Sequence, residues 1–283
     1  MVETYSPETL DELLDIRLRQ EALLFAGGTD LMVRYRRGTG AVPELTGPVA
    51  FLHRCDELKR TAFDENDVVI GAAATFSELL EMNIHPALKS ICEQIGAPGL
   101  RNIATIGGNI CNASPAADTL PFLYAHDAAV ELESASGIRT LSIEEYITGP
   151  GKTVLRPDEV LSRIRIPVWK PTVWHYRKVG TRKANALTKV SFAGFVDVWD
   201  GIVAKAAFAF GAIGPTVIRA RELERAVISR KVEEFETDIP RLLSICEKSI
   251  NPIDDQRSTA VYRTMVAKNL LRSFLTQMLC GET

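Results

Sequence analysis

Apolar positions in this 283-residue chain recur with two different periods, and their order predicts an α+β protein. After Ser6-Pro7, where serine suits a helix cap and proline the first helical position, Leu10, Leu13 and Leu14 recur at helical spacing and predict one short helix. Ala22-Leu23-Leu24-Phe25 is a brief apolar run that ends in Ala26-Gly27-Gly28-Thr29-Asp30, a strand running into a glycine turn. Thr29 or Asp30 is placed to cap a helix through Arg37 that Gly38 closes. A strand is predicted over 68–72, then the capping box Thr75-Phe76-Ser77-Glu78 opens a helix through Met82, and Leu88, Ile91, Cys92 and Ile95 mark another helical face after Pro86. Alternation returns at 130–133 and 160–166, each a half-buried strand. Past Pro167 and Pro171 the pattern changes: 190–198 and 202–210 alternate about an Asp200-Gly201 turn, and helical faces follow over 219–228, 240–249 and 259–279. The last third reads as a sheet backed by helices.

Composition narrows the class. With 46% hydrophobic and 24% charged residues the chain has enough apolar mass for a core, which excludes disorder and fibre. Its length exceeds what one core usually serves, so two or three modules are expected. The net charge is −3, with no clustered basic excess of the kind nucleic-acid partners require. The N-terminus, Met1 to Glu8, is acidic and polar where a secretory signal needs a basic then apolar run, and no apolar stretch approaches about 18 residues, so a cytoplasmic protein with no membrane partner is expected. The five cysteines (Cys55, Cys92, Cys111, Cys246, Cys280) form no Cys-x-x-Cys pair and no local His/Cys cluster, so no metal is expected on this chain.

Two segments carry the chemistry. In Ala26-Gly27-Gly28-Thr29-Asp30-Leu31 the glycines let successive backbone N–H groups approach an oxygen cluster, with Thr29 as a hydroxyl donor; the same pattern also serves as an ordinary turn. The stretch Gly96 to Asp118 has no strong element signal and reads as a long loop. Within it Thr105-Ile106-Gly107-Gly108-Asn109 precedes Asn112, Ser114 and Asp118, a density of small and polar groups that suits a backbone wrapped around a large polar ligand. Neither segment is GxGxxG or GxxxxGK[ST], so dinucleotide-fold and P-loop readings lose support. His53, His85, His126 and His175 have no nucleophile partners at a recognisable spacing and read as structural or surface residues. The Arg34-Tyr35-Arg36-Arg37 run reads as a solvated face, and Arg177-Lys178 with Arg182-Lys183 forms a second basic patch.

The pair AGGTDLMV (Ala26 to Val33) and TIGGNICNASPAADT (Thr105 to Thr119) resembles the flavin subunit of the molybdenum hydroxylases, the xanthine dehydrogenase and carbon monoxide dehydrogenase family. RPDEVLSRIRIP (Arg156 to Pro167), YRKVGTRKANALTKVS (Tyr176 to Ser191) and FGAIGPTVIRA (Phe210 to Ala220) resemble that family in the same order, so the likeness spans essentially the whole chain. It implies a vanillyl-alcohol-oxidase, PCMH-type FAD-binding domain of two subdomains, 1–56 and 57–170, and a C-terminal α+β domain, 171–283, of the carbon monoxide dehydrogenase flavoprotein type. By the same likeness Ala26, Gly27, Gly28, Thr29, Asp30, Leu31, Met32 and Val33 hold the FAD diphosphate through their backbone. Thr105, Ile106, Gly107, Gly108, Asn109 and Asn112 would follow the diphosphate, ribityl chain and flavin, and Asp118 would meet the ribose or adenosine portion. Leu161 would sit against the cofactor, and Lys178 near the pyrimidine side of the flavin, where a cation favours the reduced, anionic form.

The resemblance implies an electron-transfer role with no acid, base or nucleophile of the chain's own. FAD would be non-covalent, since Thr29 stands where a linking residue would follow Gly28. The four-cysteine insert of the 4-hydroxybenzoyl-CoA reductases is missing, and the [2Fe-2S] clusters and the molybdenum cofactor are expected on a small subunit and a molybdopterin-binding large subunit. Electrons would leave for NAD+, quinone or oxygen. Thr29-Asp30, in place of a His-Ser pair, tilts the reading toward xanthine dehydrogenase over carbon monoxide, aldehyde or nicotinate dehydrogenases. Outside the resemblance stand a free-standing FAD-dependent oxidoreductase, for which no substrate base is evident, and an assembly module that has lost flavin.

Overall fold

The computed structural model describes residues 2–42, 44–182 and 185–280, the side chains of the last two excepted. Two compact units emerge: Met1–Ile84 with Ile95–Ala113 and Ala128–Val168, and His85–Gln94 with Ser114–Asp127 and Trp169–Thr283.

The first unit holds two sheets. Thr4–Tyr5, Val49–Phe51 and Leu23–Phe25 form a parallel three-stranded sheet with Val49–Phe51 at its centre. The helix Leu10–Arg19 covers it, burying Leu10, Leu13 and Leu14 with Ala22, Ala50, Leu52 and Leu58. The cap is Thr9, whose Oγ1 accepts from the Glu12 N–H at 3.2 Å, so Ser6-Pro7 lies one turn outside the helix and not at its start. An antiparallel five-stranded sheet follows, in the order Thr61–Phe63, Asp67–Gly71, Val160–Pro167, Ala129–Ser134, Gly137–Ser142. The Val160–Pro167 strand is central because Ile164 pairs with Ile70 on one side and Val130 on the other, which buries it fully.

The capping box at Thr75 and Glu78 opens the helix Phe76–Met82, with both reciprocal bonds formed. The stretch 96–118, which reads as a loop in sequence, contains the helices Pro98–Arg101 and Ile106–Asn112. Two glycines in a seven-residue helix hide its period. The helix after the first glycine turn runs only Leu31–Arg34, not to Arg37, because Val33 is exposed and no apolar face exists to extend it.

The second unit is an antiparallel sheet, Val173–Val179, Val190–Trp199, Ile202–Gly211 and Ile218–Arg219 in sequential order. Asp200 and Gly201, at φ 50° and 75°, make the tight turn between its two longest strands. Phe192, Phe208 and Phe210 on the sheet meet Phe274, Leu242 and Leu243 from the helices Ala260–Cys280 and Phe235–Ser249. The latter begins five residues before the predicted start and accommodates Pro240 inside it. Leu120–Ala125 and Pro86–Glu93 also pack on this sheet, so the unit draws in two segments that precede residue 170.

Candidate functional site

The first unit brings the two glycine segments together. Beyond Leu23–Phe25 the chain turns at Gly27 and Gly28, and the protein itself demands both glycines. A Cβ on Gly27 would lie 1.9 Å from the Ile103 carbonyl oxygen, and one on Gly28, at φ +69°, would lie 2.3 Å from the Phe25 ring. Met32 N–H closes the turn on the Gly28 carbonyl at 2.8 Å. Among the described residues, none of the five consecutive N–H groups from Gly27 to Leu31 has a hydrogen-bond acceptor. Consecutive unsatisfied donors at an accessible turn are the material of an anion cradle. Thr29 and Leu31 are half-buried there, whereas Asp30, Met32 and Val33 are exposed.

The second segment behaves differently. Thr105 caps Ile106–Asn112, its Oγ1 accepting from Gly108 N–H at 3.1 Å. Ile106 N–H goes to the Ala74 carbonyl at 3.0 Å, Gly107 N–H to the Ala72 carbonyl at 2.8 Å, and Asn109 N–H to the Thr105 carbonyl at 3.0 Å. These amides are consumed inside the protein, and Ile106 and Gly107 are buried. Gly108 alone of this group presents an exposed backbone. Arg34 Nη2 donates to Asn112 Oδ1 at 2.8 Å, so the first cation of the arginine run fastens one glycine segment to the other. Leu161, 4% exposed, pairs with Leu132 in the five-stranded sheet.

Asp118 and Lys178 lie in the second unit and touch each other. Lys178 Nζ donates to Asp118 Oδ2 at 2.5 Å and to the Gln94 carbonyl at 3.4 Å. Thr188 Oγ1 at 2.6 Å and Tyr176 OH at 3.4 Å both donate to Asp118 Oδ1. Burial, and then the neighbouring carboxylate, push the Tyr176 hydroxyl well above the ordinary tyrosine range. Sequence reasoning gave Asp118 to the ribose or adenosine portion and Lys178 to the pyrimidine side of the flavin; the structure shows the two side chains joined in one ion pair. Tyr176 and Thr188 went unnoticed in the sequence, although Tyr176 and Lys178 share a strand face by the period of two.

A groove of about 550 Å³ in the same unit is lined by Gln94, Arg177, Lys178, Thr181 and Arg182, with no carboxylate among the described residues on its walls. Lys183, the remaining member of the basic patch, lies outside the described residues. His85 and His126 are buried in an aromatic cluster with Phe122, Trp169 and Phe195. Burial lowers them to about 4 and about 3, and at His126 the neighbouring His85 ring adds to the effect of burial. Among the described residues no group of three or more His, Cys, Asp or Glu could hold a metal, and no helix is long and apolar enough to cross a membrane.

Comparison with known proteins finds two family models that divide the chain near residue 170. Residues 1–169 match the FAD binding domain in molybdopterin dehydrogenase, and residues 174–278 the carbon monoxide dehydrogenase flavoprotein C-terminal domain. The xanthine dehydrogenase FAD-binding subunit of Escherichia coli O157:H7 is 32% identical over 213 residues, 72% of this chain and 71% of that one. The glyceraldehyde dehydrogenase medium chain of Sulfolobus acidocaldarius is 31% identical, with 89% of this chain and 92% of that one covered. A chain in the structure of carbon monoxide dehydrogenase from Hydrogenophaga pseudoflava superposes with a TM-score of 0.88 at 24% identity, over 99% of this chain and 98% of that one, which shows a shared fold.

Proposed function

Since the chain belongs to the family of FAD-binding subunits of the molybdenum hydroxylases, an oxidoreductase family, we propose that it is the flavin-carrying electron-transfer subunit of a xanthine dehydrogenase-type complex. Bound FAD supplies a redox carrier that takes up electrons and passes them on in pairs. The chain's own residues bind and position it.

The observation that carries this reading is the run of open N–H groups from Gly27 to Leu31, held by a glycine at φ +69°. It fits a diphosphate, which offers many oxygens and no donors. In this proposal Ala26 to Val33 contribute backbone contacts to the diphosphate. Thr105, Ile106, Gly107 and Asn109 shape the second wall from inside, while Gly108 and Asn112 face the ribityl and flavin portion. Leu161 backs the cofactor, and Lys178 lies at the flavin's pyrimidine side. Thr29, standing where covalent members of the family carry a histidine or cysteine, supports non-covalent binding.

The proposed partners are a small subunit with [2Fe-2S] clusters as electron donor and a molybdopterin-binding large subunit where substrate is oxidised. NAD+ is the proposed acceptor. The groove supports it: Arg177 and Arg182 form no ion pair among the described residues, and such cations suit a phosphate-bearing acceptor over a neutral quinone or oxygen. Equilibrium titration of the flavin-stripped chain with FAD, FMN and ADP tests the reading. FAD bound at one per chain, more tightly than either half, supports it; no FAD binding overturns it.

A further inference from the structure

The helix Ala260–Cys280 is apolar on two sides. Ala267, Leu271 and Phe274 face inward and are fully buried in the core of the second unit. Val261 and Met265, one turn apart, are 81% and 52% exposed. A helix with one covered and one open apolar face has a second surface to bury. The open face forms one wall of a groove of about 500 Å³, to which Lys268 and Arg272 also belong; Glu247, from the helix Phe235–Ser249, and Pro252 just beyond it also line the groove. From Val261 to Arg272 the wall is about 16 Å long at 1.5 Å per residue, room for roughly three turns of another helix.

The charges of the groove single out an occupant. Lys268 Nζ donates to Glu247 Oε2 at 2.6 Å, so the carboxylate that lines the groove is already paired. Arg263 Nη2 donates to both oxygens of Asp255 at 2.7 Å, and Asp254 Oδ1 accepts from Ala260 N–H, so the acids next to the groove are engaged as well. Arg272 is exposed and has no ion pair among the described residues. A two-fold contact between copies of this chain would set this face against itself, with its carboxylates already taken. The negative charge that Arg272 lacks must come from a different chain.

We propose that the groove docks a helix of another subunit, one that presents apolar side chains a turn apart to Val261 and Met265 and an aspartate or glutamate to Arg272. The inference rests on the reading that the chain works within a multi-subunit complex. Helix-in-groove docking suits these parts: methionine offers an adaptable apolar surface, and a guanidinium pairs with a carboxylate through two parallel N–H bonds. Both residue types are enriched in protein interfaces.

The experiment isolates the complex through a tag on this chain, with p-benzoylphenylalanine in place of Val261, and locates the photo-cross-linked peptide by mass spectrometry. Dilution measures the dissociation constant for the parent, Met265→Asp and Arg272→Glu. The cross-link is expected on a helical segment of an iron- or molybdenum-bearing subunit that has apolar residues at that spacing and a carboxylate. Each variant should weaken assembly at least tenfold, while the thermal midpoint of the chain alone moves by less than about 2 °C, since both side chains point outward. Lysine in place of the cross-linked segment's carboxylate should restore assembly with Arg272→Glu. A cross-link between two copies of this chain, a cross-link to a segment without those features, or variants that assemble as tightly as the parent overturns the proposal. A parent chain that brings no metal-bearing subunit with it defeats the wider reading too, whereas an intact parent complex indifferent to both variants defeats the groove alone.

Discussion

Gly108→Ala separates contact with the cofactor from folding. Gly108 is exposed in the helix Ile106–Asn112, and a Cβ there would meet only Thr105 Oγ1, at 2.9 Å. Alanine in place of glycine within a helix gains about 1 kcal/mol. Crowding the Thr105 cap loses about 1 kcal/mol, so the flavin-free variant should unfold close to the parent. Gly107→Ala is the contrast, since its Cβ would lie 2.5 Å from the Ala72 carbonyl oxygen that already accepts Gly107 N–H at 2.8 Å. Overpacking and a strained buried bond there cost about 2–4 kcal/mol. If FAD rests on the Gly108 backbone, a methyl group holds it away and costs about 1.4–2.8 kcal/mol, a ten- to hundredfold loss of affinity. Urea unfolding of the stripped proteins and FAD titration measure the two effects separately. Gly108→Ala with parental FAD affinity would refute the assignment of this segment to the cofactor, and Gly107→Ala with parental stability would refute the packing argument.

Acid should destabilise the second unit through His85 and His126. Both stay neutral when folded, at about 4 and about 3, against 6.5 when unfolded. The unfolded chain therefore binds more protons in that window, and stability falls as pH drops from about 6.5 toward 3–4, by at most roughly 8 kcal/mol for the pair. Urea midpoints between pH 7 and 4 check this; His126→Leu should flatten the acid limb, and an unchanged limb contradicts it. Asn112→Ala should free Arg34 from its 2.8 Å bond at a cost below about 1 kcal/mol in stability, since the pair is exposed, while weakening FAD several-fold. Equal FAD affinity would show that the staple does not shape the cradle. Arg177→Gln and Arg182→Gln should each weaken NADH about tenfold in the FAD-loaded protein, an effect that shrinks with added salt, and leave FAD affinity unchanged. An unaltered NADH titration would remove the argument for a phosphate-bearing acceptor.

The strands and caps with strong local signals were legible. The box at Thr75 and Glu78 and the hairpin at Asp200-Gly201 need only neighbouring residues to form, and both stand where the pattern puts them. The helix Ile106–Asn112 was not legible, because its stability comes from Ala72 and Ala74 carbonyls more than thirty residues away, not from propensity. The helix cap at Thr9 was misread as Ser6 because Ser-Pro and Thr carry the same local signal and only packing of Leu10 decides between them. At the site, the two glycine segments could be picked out, yet the reason for Gly27 and Gly107 could not. Both are forced by crossings of the protein's own backbone, at Ile103 and Ala72. Asp118 and Lys178 were both singled out and given separate roles. Sixty positions apart in the chain, they form one ion pair, which periodicity cannot reveal.

The central claim is that this chain carries FAD without a covalent link. The most direct test is the visible spectrum of the purified chain, before and after acid precipitation, with chromatographic identification of what is released and elemental analysis for iron and molybdenum. The account predicts stoichiometric FAD in the acid supernatant and neither metal on this chain. A colourless protein that stays flavin-free after incubation with excess FAD, or flavin that remains in the acid pellet, would contradict it.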